Sequence, residues 1–190
     1  QVNGLTHRPK LVGVTSCSHG AGVSTFATGL AASMSETGDG NVLLVDMNQR
    51  NGAAVHPFYR GRAVCTLDEA LEMDKRGPAQ VHENLYVVTN YTGQGQKVGL
   101  LPKKFANIVP KLQATDYDYI IFDLPPVNQT SATSKLAGLL DVTVMVLESE
   151  KSQQDAADRA LALLAESKAR VAAVLNKHRT YVPRRLQAEF

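Results

Sequence analysis

Length, composition and charge limit what this chain can be. Its 190 residues are enough for one domain with a substantial core, and 44% hydrophobic with 20% charged residues is typical of a soluble globular protein. A formal net charge of +2 gives no general reason to expect nucleic acid as a partner. No apolar run approaches the roughly 18 residues of a membrane-spanning helix. Two cysteines are too few for a disulfide framework, so a cytoplasmic location is the default expectation.

The first predicted element is a strand that leads into a glycine-containing loop. The apolar residues 11–15 precede the loop 16–25, which reads Ser-Cys-Ser-His-Gly-Ala-Gly-Val-Ser-Thr, and a helix is predicted over 24–36. A strand, loop and helix in this order leave backbone N–H groups at the helix N-terminus, which favour an anion such as phosphate. The alternative is a glycine turn that joins a buried strand to a helix and binds nothing.

The loop differs from the P-loop pattern G-x-x-x-x-G-K-[S/T] at two positions. Cys17 stands at the first glycine and Val23 at the lysine, whereas Gly22 and Ser24 match the second glycine and the magnesium-binding hydroxyl. The lysine ammonium acts mainly on a phosphoryl group in transfer, so its loss should damage catalysis more than binding. Cys17 is either a reactive thiol at a helix N-terminus or a small residue that fits the turn.

The rest of the chain alternates short apolar strands with helices. Strands are predicted at 41–46, 84–89, 117–123, 142–147 and 171–175, and helices at 66–71, about 102–114, 130–140 and 152–167. This alternation predicts an α/β fold with a doubly wound, mainly parallel sheet and helices on both faces. We expect a single domain over 1–190, with a core of about 10–177 and a tail over 178–190, in which 93–96 is an internal connection.

Two of the predicted strands end in an acid. Asp46 closes the strand 41–46 and Asp123 closes the strand 117–123. Ligands bind at the carboxyl ends of strands in such sheets, and carboxylates with the Ser24 hydroxyl are the oxygen ligands that Mg²⁺ prefers beside phosphates. Either acid alone is explained equally well as the cap of a turn. The diproline at 125–126 predicts a rigid turn just past Asp123.

Three segments resemble the bacterial tyrosine kinases of capsular and exopolysaccharide synthesis. Residues 42–50, Val-Leu-Leu-Val-Asp-Met-Asn-Gln-Arg, look like the second Walker-type motif of that family. Residues 117–127 look like its Walker B segment, and the acid followed by Leu-Pro-Pro is the most specific part. The closing Val-Leu-Asn-Lys of 174–177 also fits, so the resemblance spans roughly residues 10–177.

The resemblance implies a P-loop domain of the MinD/ParA-related class and a place for it in the cell. The domain would be fused to, or partnered with, a membrane polysaccharide co-polymerase at the inner face of the bacterial inner membrane. Because the chain begins with Gln1 rather than Met, we take it to be an excised or processed piece, and a membrane anchor could lie outside it. Active relatives phosphorylate a C-terminal tyrosine cluster on a neighbouring subunit, which leaves a homo-oligomer open.

The resemblance also assigns roles to individual residues. Asp46 and Asp123 would be the catalytic residues, and together with Ser24 they would serve Mg²⁺. ATP or ADP would bind on the Walker A loop, formed by Gly20, Ala21, Gly22, Val23, Ser24 and Thr25. Whether a nucleotide binds without the loop lysine stays open at this stage.

Three departures from the family pattern point to a degenerate kinase-like domain, or pseudokinase. Val23 replaces the lysine, Asn48 stands where the second acid of an Asp-x-Asp pair is expected, and Tyr181 is alone where the family has a tyrosine cluster. The leading hypothesis is a domain that regulates polysaccharide assembly and export with weak or absent phosphoryl transfer. One alternative is an active ATP-dependent tyrosine autokinase, in which Arg50 or a partner's cation replaces the lysine. The other is a MinD/ParA-like positioning or scaffold ATPase.

Overall fold

The computed structural model describes residues 8–37, 40–48, 65–89, 102–128 and 132–177, which build one sheet flanked by helices. The strands are β1 Lys10–Ser16, β2 Val42–Asp46, β3 Gln80–His82, β4 Leu85–Thr89, β5 Tyr119–Asp123, β6 Val142–Glu148 and β7 Val171–Asn176. The helices are α1 Val23–Thr37, α2 Leu67–Ala70, α3 Pro102–Gln113, α4 Thr133–Ala137 and α5 Gln154–Glu166. None of the described helices combines the length and hydropathy that crossing a bilayer requires.

The strand order confirms the doubly wound, mainly parallel sheet. Across the sheet the order is β3-β4-β2-β5-β1-β6-β7, in which β3 runs antiparallel to β4 and the other pairs are parallel. The chain therefore starts near the middle of the sheet and builds outward in both directions. Because β1, β2 and β5 are parallel neighbours, their carboxyl ends meet at one edge of the sheet.

The core lies on both faces of the sheet because successive strand residues point to opposite sides. In β1, Leu11 joins the apolar cluster that packs under α3, whereas Val12 joins the cluster under α1. Phe105 of α3 and Phe122 of β5 pack edge to face with their ring centroids 5.2 Å apart. On the other face Ala27 of α1 is fully buried, so this small side chain lets the helix lie close to the sheet.

Differences from the predicted elements are local. The strand β3 was not predicted, because three residues at a sheet edge carry too little apolar pattern to be recognised. The helix predicted over 130–140 is shorter and spans Thr133–Ala137, and Gly138 follows it as the C-cap. Thr66 caps α2 through a capping box with Glu69. The connection predicted at 93–96 lies outside the described residues.

Candidate functional site

The loop between β1 and α1 has the backbone shape that only glycines adopt easily. Gly20 has φ +86° and Gly22 has φ +94°, both in the left-handed region. The Phe26 N–H donates to the Gly22 carbonyl at 2.9 Å, so α1 begins directly after the second glycine. The first N–H groups of a helix have no partner within it and favour an anion. A side chain at Gly20 would meet no atom within 4 Å, which leaves that side of the loop open.

Val23, at the position of the P-loop lysine, is part of the core. Its side chain is only 5% exposed and belongs to the apolar cluster that includes Val14 and Ala27. The burial of Val23 shows that its side chain packs inward against the sheet. The loop therefore keeps the glycine backbone conformation of a P-loop but has no positive charge at position 23.

The two strand-end acids lie side by side at this edge of the sheet. Asp46 and Asp123 are paired in register on the neighbouring strands β2 and β5, and they are 4% and 0% exposed. Asn48 bridges them: its backbone N–H donates to Asp46 Oδ1 at 3.1 Å, and its side-chain amide donates to Asp123 Oδ1 at 3.2 Å. The residue that replaces the expected second acid thus holds both carboxylates in place.

Asp123 is poised between its charged and neutral forms. Burial is the main cause that raises its pKa from 3.8 to about 7. The Ser24 hydroxyl opposes this rise, the charge of Asp46 adds to it, and the Asn48 amide opposes it. Asp123 Oδ2 is buried without a hydrogen-bond partner among the described residues. A buried carboxylate oxygen in this state is costly unless a cation or a donor reaches it.

The donor set fits Mg²⁺ beside a phosphate. Ser24, Asp46 and Asp123 supply a hydroxyl and two carboxylates, and Mg²⁺ takes such hard oxygen ligands while keeping several waters and phosphate oxygens. When bound, the cation would neutralise charge on the phosphates. This chain's own residues would bind and orient the ligand through the loop and hold the carboxylates buried. The lysine of the usual set is missing, because position 23 is Val.

The turn after Asp123 is fixed from two sides. The Thr15 hydroxyl donates to the Pro125 carbonyl at 2.8 Å, and the Thr133 hydroxyl donates to the same oxygen at 3.1 Å. The Val127 N–H donates to the Ser16 carbonyl at 2.8 Å, so the chain past the diproline continues beside β1. The turn predicted from the two prolines therefore lies next to the glycine loop.

Sequence reasoning missed a contact between the last strand and the loop. The Asn176 side-chain amide donates to the Ala21 carbonyl at 2.9 Å, and the Lys177 ammonium donates to the Gly20 carbonyl at 2.7 Å. The signal was available in the resemblance of 174–177 and in the rule that polar residues at carboxyl ends of strands face the ligand site. That rule was applied only to the acids.

Cys17 is half-buried and packs on a satellite apolar cluster that includes Val127 and Met145. It also lines a cavity of about 660 Å³ between the loop and α5, together with Ala156 and Leu163. A small residue that fits the turn accounts for these contacts without a reactive thiol.

The predicted site residues share one edge of the sheet. The loop residues occupy the turn and the first positions of α1, where Ala21 and Val23 are buried, Gly22 and Ser24 are half-buried, and Gly20 and Thr25 are exposed. Asp46 and Asp123 lie beside them on β2 and β5. Arg50 and Tyr181 lie outside the described residues. The roles assigned to these residues stay predictions, because position alone does not test them.

Comparison with known proteins finds relatives in sequence and in fold. No protein-family model matches the chain. Tyrosine-protein kinase YwqD of Bacillus subtilis is 28% identical over 181 residues, which cover 90% of this chain and 76% of that protein.

Solved structures with a similar fold include kinase domains and ParA family ATPases. The kinase domain of Escherichia coli tyrosine kinase ETK superposes with a TM-score of 0.68 at 18% identity, over 95% of this chain and 72% of that one. A ParA family ATPase from Chlorobium tepidum gives a TM-score of 0.70 at 21% identity, over 88% and 74%. In sequence the chain is similar to bacterial tyrosine-protein kinases, and its fold is similar to those of the ETK kinase domain and the ParA family ATPase.

Proposed function

We propose that this chain is a degenerate, tyrosine-kinase-like P-loop domain that binds ATP or ADP with Mg²⁺ and transfers phosphoryl groups weakly or not at all. Through nucleotide occupancy it regulates the assembly and export of a capsular or exopolysaccharide. Its partner is a membrane polysaccharide co-polymerase, fused to it or separate, at the inner face of the bacterial inner membrane. The basis for the pathway is the likeness to bacterial tyrosine-protein kinases and the Leu-Pro-Pro turn after Asp123.

The observation that carries the proposal is the contrast between Val23 and Asp123. The binding half of the site is retained, since the positive-φ glycines and two buried carboxylates are present. The catalytic half of the site lacks the positive charge that acts on a phosphoryl group in transfer, since Val23 is buried in the core and carries no charge. Losing one electrostatic contact of this kind commonly costs about 10²–10³ in kcat.

Asn48 also supports weak or absent phosphoryl transfer. An amide in place of a carboxylate removes one negative charge from the metal site and cannot act as a base. Its side chain is already committed to Asp123 as a donor. The site is therefore arranged to hold its carboxylates still and is poorly arranged to accept a proton from an attacking hydroxyl.

The experiment compares binding and turnover in matched variants. Calorimetry with ADP and ATP, with and without Mg²⁺, is run on the wild type, Val23→Lys and Val23→Met, and phosphotyrosine is measured on each after incubation with ATP. Methionine is similar to lysine in length but uncharged, so it controls for the change of size at a buried position. Thermal unfolding of each variant checks that the fold is kept.

We expect the wild type to bind Mg·ADP and to show no phosphotyrosine. Val23→Lys should bind at least about tenfold more tightly than Val23→Met, because a charge-assisted contact to phosphate is worth more than 1.4 kcal/mol. Strong phosphotyrosine on the wild type would favour the active autokinase instead. Absence of binding in the wild type, with binding restored by lysine, would exclude nucleotide regulation and leave a structural role.

A MinD/ParA-like positioning or scaffold ATPase is the second candidate, because the fold superposes on a ParA family ATPase as well as on a kinase domain. The wild type would then hydrolyse ATP slowly without labelling tyrosine and would bind lipid vesicles. Vesicle co-sedimentation in the presence of ATP separates this candidate from the leading one.

A further inference from the structure

The outer edge of β7 presents backbone groups without partners. β7 stands at one end of the strand order and pairs in parallel with β6. The N–H groups of Thr143 and Ser149 donate to even-numbered carbonyls at the two ends of β7. Since alternate residues of a parallel strand bond to the same neighbour, the odd-numbered residues Val171, Ala173 and Leu175 turn their N–H and C=O groups outward. Among the described residues nothing hydrogen-bonds to these outward groups.

The side chains of β7 make this edge apolar and leave it unprotected. Its sequence, Val-Ala-Ala-Val-Leu-Asn, contains neither a charge nor a proline, and its register with β6 is regular. Leu175 is 58% exposed, and Ala172 and Ala173 are exposed as well. Sheets normally block a free edge with a charge, a proline, a bulge or a short strand, because a free edge pairs readily. The opposite edge has such protection, since β3 is only three residues long and its register shifts.

Charge around β7 indicates which kind of strand fits this edge. No acid lies within residues 167–177, whereas Lys168 and Arg170 directly precede the strand and are exposed. Neither of these two cations makes an ion pair in the part of the chain that the structure describes. At the other end of β7, Lys177 is paired with Glu148. An added strand therefore meets free positive charge at the start of β7, where an acidic residue would complement it.

Two occupants from the chain itself fit this edge less well. Two copies related by a two-fold axis would pair their β7 strands antiparallel, which brings Arg170 of each copy to the end that carries Lys151 and Lys177. Like charges opposite each other on paired strands are destabilising. Residues 178–190 contain three arginines and one acid, so they would add positive charge to the same edge. The charges thus favour a strand from another protein.

We propose that the outer edge of β7 is a docking site for a partner protein, which adds an extended segment beside the seven strands of the sheet. The backbone of that segment hydrogen-bonds to the outward groups of Val171, Ala173 and Leu175. Its apolar residues contact the exposed β7 side chains, and an acidic residue at one end pairs with Arg170. This docking does not depend on the proposed nucleotide-binding function.

Binding of a synthetic peptide to the full chain tests the backbone part of the proposal. The probe is a fluorescein-labelled peptide of alternating valine and threonine with a glutamate at each end, and binding is measured by fluorescence anisotropy. Ala173→Pro removes an outward N–H that β6 does not use, so the fold should be kept, and the unfolding temperature checks this. Ala173→Val is the matched control, because it keeps the N–H. We expect Ala173→Pro to weaken binding about tenfold or more and Ala173→Val less than about threefold.

A charge reversal tests the second part of the proposal. The wild type should bind the glutamate-flanked peptide about threefold or more tightly than the same peptide flanked by lysines. Arg170→Glu should reverse this preference, and added salt should reduce the difference in both proteins. A preference that Arg170→Glu leaves unchanged would overturn the role of Arg170.

Other outcomes would overturn the docking site itself. Absence of saturable binding of the glutamate-flanked peptide up to about 1 mM would do so, and so would equal affinities of folded Ala173→Pro and Ala173→Val. A wild-type dimer in sedimentation that Ala173→Pro converts to a monomer would show that a second copy occupies the edge. Slow amide exchange at the outward groups of β7, lost when residues 178–190 are deleted, would show that the chain covers its own edge.

Discussion

Replacing Gly22 by alanine tests the loop geometry in the most quantitative way. Gly22 has φ +94°, and holding a residue with a Cβ in the left-handed region costs about 1–2 kcal/mol. The new Cβ would also overlap the Asn176 amide nitrogen, so that side chain must move and release its hydrogen bond to Ala21. The lost hydrogen bond adds about 1 kcal/mol. We therefore expect Gly22→Ala to lower the free energy of unfolding by about 2–3 kcal/mol.

Gly20→Ala is the matched control. Gly20 has φ +86°, but a Cβ there meets no atom within 4 Å, so only the backbone cost of about 1–2 kcal/mol applies. Urea unfolding should place Gly22→Ala below Gly20→Ala by about 1 kcal/mol, and the melting temperatures should differ by about 2–4 °C. Equal stability of the two variants would refute the argument that Asn176 fastens the loop.

Other predictions concern the acids and the turn that follows them. Burial raises the Asp123 pKa to about 7, above its ordinary 3.8, so the wild type should lose up to about 4 kcal/mol of stability relative to Asp123→Asn as pH rises from about 4 to 7. Urea unfolding of both proteins at pH 5, 6 and 8 measures this loss. A stability difference between them that does not change with pH would contradict the prediction. Mg²⁺ should strengthen ADP binding more at pH 8 than at pH 6, because Asp123 is then ionised, and Asp123→Asn should abolish this Mg²⁺ effect in calorimetry. Thr15→Val and Thr133→Val should each lower the free energy of unfolding by about 1 kcal/mol. The double variant should lower it by more than the sum, because the Pro125 carbonyl then loses both donors. Additive losses in urea unfolding would show that sharing this acceptor does not matter.

The features of the site that depend on local patterns could be predicted from the sequence. Two of these patterns are recognisable within about ten residues: a glycine loop between an apolar strand and a helix, and an acid at the end of an apolar strand. Both features lie at the predicted edge of the sheet. The mainly parallel sheet, although not its strand order, followed from the alternation of strands and helices. Hydrophobic pattern was enough for β1, β2 and β5 because these strands are buried on both faces.

Contacts between distant parts of the chain could not be predicted in this way. Lys177 reaches Gly20 across 157 positions, and Asn48 reaches Asp123 across 75, so neither contact leaves a local pattern. The inward direction of Val23 depends on how α1 sits on the sheet, which the spacing of residues near it does not specify. Sequence alone therefore showed that the loop lacks its lysine, but it did not show that Lys177 contacts the loop.

The most direct test of the central claim is one calorimetric titration of the unmodified chain with Mg·ATP, in which binding and turnover are read from the same sample. Binding gives a heat that saturates, and hydrolysis gives a continuous heat after each injection. We predict saturable binding without continuous heat, since the loop and the buried acids are present while Val23 carries no charge. Sustained turnover at about 1–100 s⁻¹, the usual range of kinases, would contradict the account, and so would the absence of any binding heat.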